Sequence, residues 1–168
     1  MHAEPRGTLV FIGLGSNLGD RPKHLHEALE RLGSGIVTVR RRSALYRTDP
    51  VEVTDQDEFL NQVVAAETGL DPAALVRRCL DVEREMGRVR TRDKGPREID
   101  LDLLLHGEAR VHQEGVEVPH PRLHLRRFVL VPLVEIAPEV VHPVFRLTAK
   151  DLLERCPDTS RVRRLEAF

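Results

Sequence analysis

Asp100 and Asp102 are separated by a single leucine inside an apolar run from Glu98 to Leu105. The run predicts a β-strand, in which residues two apart share a face. Ile99, Leu101, Leu103 and Leu105 then point into a core, and the two aspartates point the other way. Their Cα atoms would stand about 6.5–7 Å apart. Two carboxylates so placed repel unless a cation or solvent intervenes. Paired oxygen ligands suit Mg²⁺, which binds through one or two carboxylates and fills its shell with water and phosphate oxygens. A pair of ions held in this way could clamp a polyphosphate. A solvated strand face that happens to carry two acids is the plainer reading of the same pattern.

The segment feeding that strand holds Arg88, Arg90, Arg92, Lys94 and Arg97. Guanidinium groups bind phosphate oxygens in a forked geometry and neutralise charge that moves during transfer. Taken alone, such a run is a solvated basic loop. Next to an acid pair it favours a nucleotide polyphosphate site.

His120 stands in Val118-Pro119-His120-Pro121, where the prolines would fix its position, and Arg126 and Arg127 follow. His120 could donate a hydrogen bond to phosphate or act as an acid. Aromatic residues make up only 4% of the chain, which gives weight to Phe59 and Phe128. They are either core residues or a pair of rings for stacking on a flat heterocycle. Asn61 shares a strand face with Phe59, and its amide can donate to and accept from a heterocycle edge. The turn Gly13-Leu14-Gly15-Ser16-Asn17-Leu18-Gly19 lacks the spacing of a dinucleotide fingerprint, and no Walker Gly-Lys-Ser/Thr is present. It reads as a strand-to-helix connection beside the site.

The elements that must position these groups follow from pattern. Thr8 to Leu14 is a buried strand. Asp20 caps a helix with Pro22 in its first turn, Leu25, Ala28, Leu29 and Leu32 on one face, and Gly33 and Gly35 at its end. Ile36 to Tyr46 is a second strand and Phe59 to Thr68 a third. Asp71-Pro72 opens a helix with Leu75, Cys79, Val82 and Met86 on its apolar face, closed by Gly87. Val116 to Val118 is a short strand, and Phe128 to Ile136 is helical with Pro132 near its start. Thr148 to Asp151 is a capping box for a last short helix. The polar stretches Thr48–Glu58 and Arg88–Pro96 are loops. The order β-α-β-β-α-β predicts an α+β, ferredoxin-like antiparallel sheet with helices packed on it and C-terminal additions.

A length of 168 residues suits one domain, 1–168, with residues 1–7 as a flexible N-terminus. A net charge of −1 gives no broad attraction to nucleic acid or membrane. No apolar run reaches the ~20 residues of a membrane helix, and the first residues lack a signal core. Cys79 and Cys156 have no ligand spacing, so buried free thiols in a cytoplasmic protein are expected.

Several motifs occur in a fixed order: Gly15-Ser16-Asn17-Leu18-Gly19-Asp20, Tyr46-Arg47-Thr48, Phe59-Leu60-Asn61, Glu83 to Arg88, Gly95-Pro96-Arg97-Glu98-Ile99-Asp100-Leu101-Asp102, and Val118-Pro119-His120-Pro121-Arg122. Together, from about Leu9 to about Pro143, they resemble the hydroxymethyldihydropterin pyrophosphokinase family. The block ending in Asp100-Leu101-Asp102 is the most specific.

The resemblance implies attack of a pterin hydroxymethyl oxygen on the β-phosphorus of ATP, with release of AMP, in folate biosynthesis. It implies two Mg²⁺ ions on Asp100 and Asp102, with ATP as co-substrate. Arg88, Arg90, Arg97, His120 and Arg126 would contact ATP. Phe59 and Phe128 would sandwich the pterin. Asn61, Thr48 and the backbone near Asp49 and Val51 would read its edge. The two polar loops would close as lids. Lys94 stands where some relatives have tryptophan, and Asp49 where some have proline. Glu83 matches a position beside the site to which the resemblance gives no role. The partners expected are the two small-molecule substrates, with no nucleic acid or membrane, and a monomer. A ligand-sensing module and a nucleotidyltransferase using the same acids are the alternatives. AMP against pyrophosphate as product separates the latter.

Overall fold

The computed structural model describes residues 7–33, 35–48, 58–87 and 99–165. Strand β1 (Thr8–Ser16) leads to helix α1 (Arg21–Leu32), β2 (Val37–Arg42), β3 (Tyr46–Thr48) and β4 (Phe59–Thr68). Helix α2 (Pro72–Glu85) and β5 (Asp100–His106) follow, then the hairpin of β6 (Val111–Gln113) and β7 (Val116–Val118). A 3₁₀ turn at Leu123–Leu125 precedes α3 (Arg127–Ile136), α4 (Ala149–Arg155) and β8 (Val162–Arg164). The main sheet runs β5-β1-β4-β3-β8, with β2 also paired to β4, and its pairings are antiparallel. With β2 and β3 taken as one interrupted strand, this is the ferredoxin-like arrangement that the element order predicts.

The caps read from sequence at Asp20, Asp71 and Thr148 are all formed. Asp20 accepts the Lys23 N–H at 3.3 Å, and Asp71 accepts the Ala74 N–H at 2.8 Å. The predicted apolar faces of α1 and α2 are buried against one side of the sheet, with Ile12, Leu14, Leu60, Leu101 and Leu103. Helices α3 and α4 cover the other side, packing Val129, Leu130, Leu133 and Leu152 on Phe11, Val63, Leu104 and Leu105. The C-terminal additions thus give the sheet its second hydrophobic layer.

Four expectations need correction. The register between β1 and β5 shifts between Phe11 and Ile12. The bulge places consecutive Leu104 and Leu105 together in the α3/α4 layer, so Leu105 does not join Ile99, Leu101 and Leu103. The single strand expected over Ile36–Tyr46 is broken. The Ser43 N–H still donates to the Val63 carbonyl at 2.9 Å, but the Ser43 hydroxyl accepts the returning Val63 N–H at 3.0 Å and Glu135 accepts the Ala44 N–H, so side chains replace part of the ladder there. Strand β1 continues through Gly15 and Ser16, which were assigned to a turn. Pro132 lies in the middle of α3, leaving the Phe128 carbonyl without its i+4 donor.

Candidate active site

A cavity of about 320 Å³ opens on the sheet face opposite α1 and α2. Its floor comes from β1, β4 and β5 through Gly13, Gly15, Asn61, Asp100 and Asp102. Its walls include Thr48, Phe59, Arg126, Phe128 and Asp158. A second cavity of about 420 Å³ wraps the edge of β5 away from β1, against α2 and the loop that holds His120. Asp100, Asp102 and Arg126 line both cavities. The acid pair therefore sits between a space with two aromatic walls and a more polar one.

The first cavity is built by close approach. Asn61 is buried on β4, and its Nδ2 donates to Thr48 Oγ1 at 2.5 Å, joining β4 to β3. A Cβ at residue 15 would stand 3.0 Å from Asn61 Oδ1, so a side chain there would push that carbonyl aside by a few tenths of an ångström. Phe59 opens β4, and Phe128 is the second residue of α3. The Arg126 guanidinium lies 5.6 Å from the Phe128 ring centroid, within cation–π range.

Asp100 and Asp102 are half-buried on the same face of β5, as the alternation predicts. The N–H of Leu101, between them, donates to buried Glu83 Oε2 at 2.7 Å. Glu83 is on the core-facing side of α2 and ties that helix to the edge of β5 away from β1. Cys79, one turn earlier, has its thiol pushed up to about 12 by burial and by the charges of Glu83 and Asp102. It is an unreactive core thiol. Cys156 is also free but only half-buried, which corrects the expectation of two buried thiols.

His120 is held against β5 by its N–H, which donates to the Leu104 carbonyl at 2.9 Å. Its Nδ1 accepts the Arg122 N–H at 3.1 Å. A neutral ring in that arrangement carries its proton on Nε2. Burial, reinforced by Arg126 and opposed by Asp100, lowers its pKa to about 4. Of the two readings left open by sequence, a hydrogen-bond donor fits better than an acid.

The structure thus brings together Thr48, Phe59, Asn61, Asp100, Asp102, His120, Arg126 and Phe128. Asp49, Val51, Arg88, Arg90 and Arg97, and both expected lid loops apart from their ends at Thr48 and Glu58, lie outside the described residues. Three site residues escaped the sequence reading of roles. Glu83 carried a signal, since it stands one helical turn after Cys79 and so on the apolar stripe. Arg122 was seen only as part of a motif. Asp158 lies beyond the last predicted helix and outside every motif in the sequence.

Fold and site define an α+β domain whose strand-borne carboxylate pair separates an aromatic cavity from a polar one. Residues 11–138 match the model of the 7,8-dihydro-6-hydroxymethylpterin-pyrophosphokinase family. The chain belongs to that family and is a pyrophosphokinase. It is 45% identical over 161 residues to the 2-amino-4-hydroxy-6-hydroxymethyldihydropteridine pyrophosphokinase of Methylorubrum extorquens, covering 95% of this chain and 99% of that one. The Bacillus subtilis protein of the same name is 44% identical over 133 residues, 79% of this chain and 80% of its own length. Against the folic acid synthesis protein fol1 of Pneumocystis carinii, identity is 40% over 89% of this chain, but the match spans only 20% of that longer protein. The crystal structure of wild-type HPPK-DHPS from Plasmodium falciparum superposes with a TM-score of 0.69 at 15% identity, covering 91% of this chain and 45% of that one. That likeness supports the fold.

Proposed function

We propose that this chain transfers pyrophosphate from ATP to the hydroxymethyl group of 6-hydroxymethyl-7,8-dihydropterin in folate synthesis. Besides family membership, one observation carries the reading. The two aspartates line the aromatic cavity and the polar cavity at once, where a heterocycle and a polyphosphate would meet.

The donor set fits Mg²⁺. Among the described residues no group of three or more His, Cys, Asp or Glu side chains could hold a metal ion. Two carboxylates leave most of an octahedral shell to water and phosphate oxygens, as Mg²⁺ prefers. Asp100 and Asp102 would hold two such ions, which would neutralise phosphate charge. Glu83 acts as a positioning residue by fixing the backbone between them.

Phe59 and Phe128 hold the two faces of the pterin. Asn61 and Thr48, with the backbone near Asp49 and Val51, read its edge. Arg88, Arg90, Arg97 and Arg126 bind the ATP phosphates, and neutral His120 donates from Nε2. The pterin hydroxymethyl oxygen forms its bond to the β-phosphorus as the bond from that phosphorus to the α–β bridging oxygen breaks. AMP leaves with the bridging oxygen, and the hydroxyl proton passes to solvent. Catalysis is mostly positioning and charge neutralisation.

Residues 1–168 form one domain that acts as a cytoplasmic monomer. Among the described residues no helix is long and apolar enough to cross a membrane. The test is a product assay with ATP, Mg²⁺ and the pterin. AMP formed only when pterin and Mg²⁺ are both present supports the reading. ADP or pyrophosphate as the product overturns it.

A further inference from the structure

The family match ends at residue 138, yet a later segment borders the aromatic cavity. Asp158 lines that cavity. Its Oδ2 accepts the N–H of Arg127, the first residue of α3, at 2.9 Å. Its Oδ1 accepts the Ser160 N–H at 2.8 Å. Arg126, at the cap position of α3, provides no side-chain cap. Asp158 therefore does the work of an N-cap from 31 residues downstream. It also sets a negative charge at the positive end of the helix.

The residues on either side of the bonded N–H are Arg126 and Phe128, and both line the same cavity. The chain then continues into β8, which pairs with β3 and sets Val162 opposite Thr48. Beyond it the Leu165 N–H donates to the Leu45 carbonyl at 2.8 Å. One short segment is thus tied to the start of α3 and to β3, on two walls of the cavity. Burial raises the Asp158 pKa, but the N–H groups of Ser160 and Arg127 outweigh it and hold the carboxyl below its ordinary value. The group is an anion at neutral pH.

We infer that Asp158 is a positioning residue for pterin binding, fixing the first turn of α3 so that Phe128 and Arg126 meet the ring. This rests on the pterin reading of the cavity. Asp158 touches no reacting atom, so its effect falls on binding.

The test is the Kd of 6-hydroxymethyl-7,8-dihydropterin, measured with Mg²⁺ and a non-hydrolysable ATP analogue, for wild type, Asp158→Ala and Asp158→Asn. One cap is a small part of a domain's stability, so both variants fold. Loss of a cap corresponds to about a 5- to 30-fold change in an equilibrium, and Asp158→Ala is expected to weaken pterin binding by that factor. Asp158→Asn keeps a carbonyl acceptor for Arg127 and is expected to recover most of the affinity. A role confined to stability would lower Tm in the alanine variant and leave Kd alone. Wild-type affinity in Asp158→Ala, or no recovery in Asp158→Asn, overturns the inference. Absence of pterin binding by the wild type would overturn the pyrophosphokinase reading itself.

Discussion

Glu83 Oε2 accepts the backbone N–H of Leu101 at 2.7 Å, between the two aspartates of β5. Among the described residues β5 pairs only with β1, so the Leu101 N–H on the opposite edge takes its partner from a side chain. A carboxylate gives a strong acceptor and fixes the backbone that carries Asp100 and Asp102. Removing it leaves a buried donor unsatisfied, at about 1–3 kcal/mol. Groups that orient metal ligands typically change affinity or activity about 10- to 100-fold when removed. Glu83→Ala is expected to raise the Mg²⁺ concentration for half-maximal rate and to lower kcat within that range. Glu83→Gln, which keeps an acceptor, should recover part of both. Mg²⁺ titrations of the steady-state rate measure this, and an unchanged Mg²⁺ requirement in Glu83→Ala would refute it.

The aspartates themselves should matter for chemistry and little for the fold. Both are half-buried in the lining of the two cavities, outside the core clusters. Asp100→Ala and Asp102→Ala are expected to lower turnover by at least about 10³-fold, the upper end of what one preorganised electrostatic group contributes. Tm without ligand should stay near the wild-type value. Mg²⁺ with an ATP analogue should raise the wild-type Tm by mass action and raise that of the variants much less. Near-normal rates in both variants would sink the metal assignment.

Local signals carried much of this structure in the sequence. Apolar spacing predicted the buried faces of α1 and α2, the Asp20 and Asp71 caps formed as read, and β4 runs from Phe59 to Thr68 as predicted. Long-range substitutions for local bonds were not legible. Ser43 ends β2 because its hydroxyl meets Val63 on another strand, and nothing in the neighbouring residues says so. The bulge that turns Leu105 to the other face depends on the register with β1. The residues of β8 show no alternation of their own and are a strand only because β3 offers an edge. The same division holds at the site. The Asp100/Asp102 alternation could be read directly, whereas Asp158 acquires its role through a helix 31 residues away.

The aromatic walls predict a split between substrates. Phe59 and Phe128 line the first cavity and are absent from the lining of the second. Stacking adds about 0.5–1.5 kcal/mol beyond buried area, and each ring also buries apolar surface against its ligand. Phe59→Ala and Phe128→Ala are each expected to weaken pterin binding by about tenfold or more. The affinity for the ATP analogue alone should be close to wild type. Calorimetric titration of each ligand separates the two effects, and equal losses for both would contradict the division of the site.

His120 should leave a mark on acid stability. Its pKa in the fold is lowered from 6.5 to about 4, first by burial and then by Arg126. Between these values the unfolded chain binds a proton that the folded chain does not, so unfolding gains as pH falls. Stability contributed by the neutral ring is full above about 6.5 and is lost as pH drops towards about 4. His142, whose pKa is lowered by burial and by His124, adds a slope of the same sign. His120→Gln carries no proton in this range and should flatten the wild-type profile without removing it. Urea unfolding of the ligand-free protein at a series of pH values measures the effect. Parallel profiles for wild type and variant between pH 6.5 and 4 would mean that His120 takes up its proton alike in the folded and unfolded chain, and that burial beside Arg126 does not hold its ring neutral.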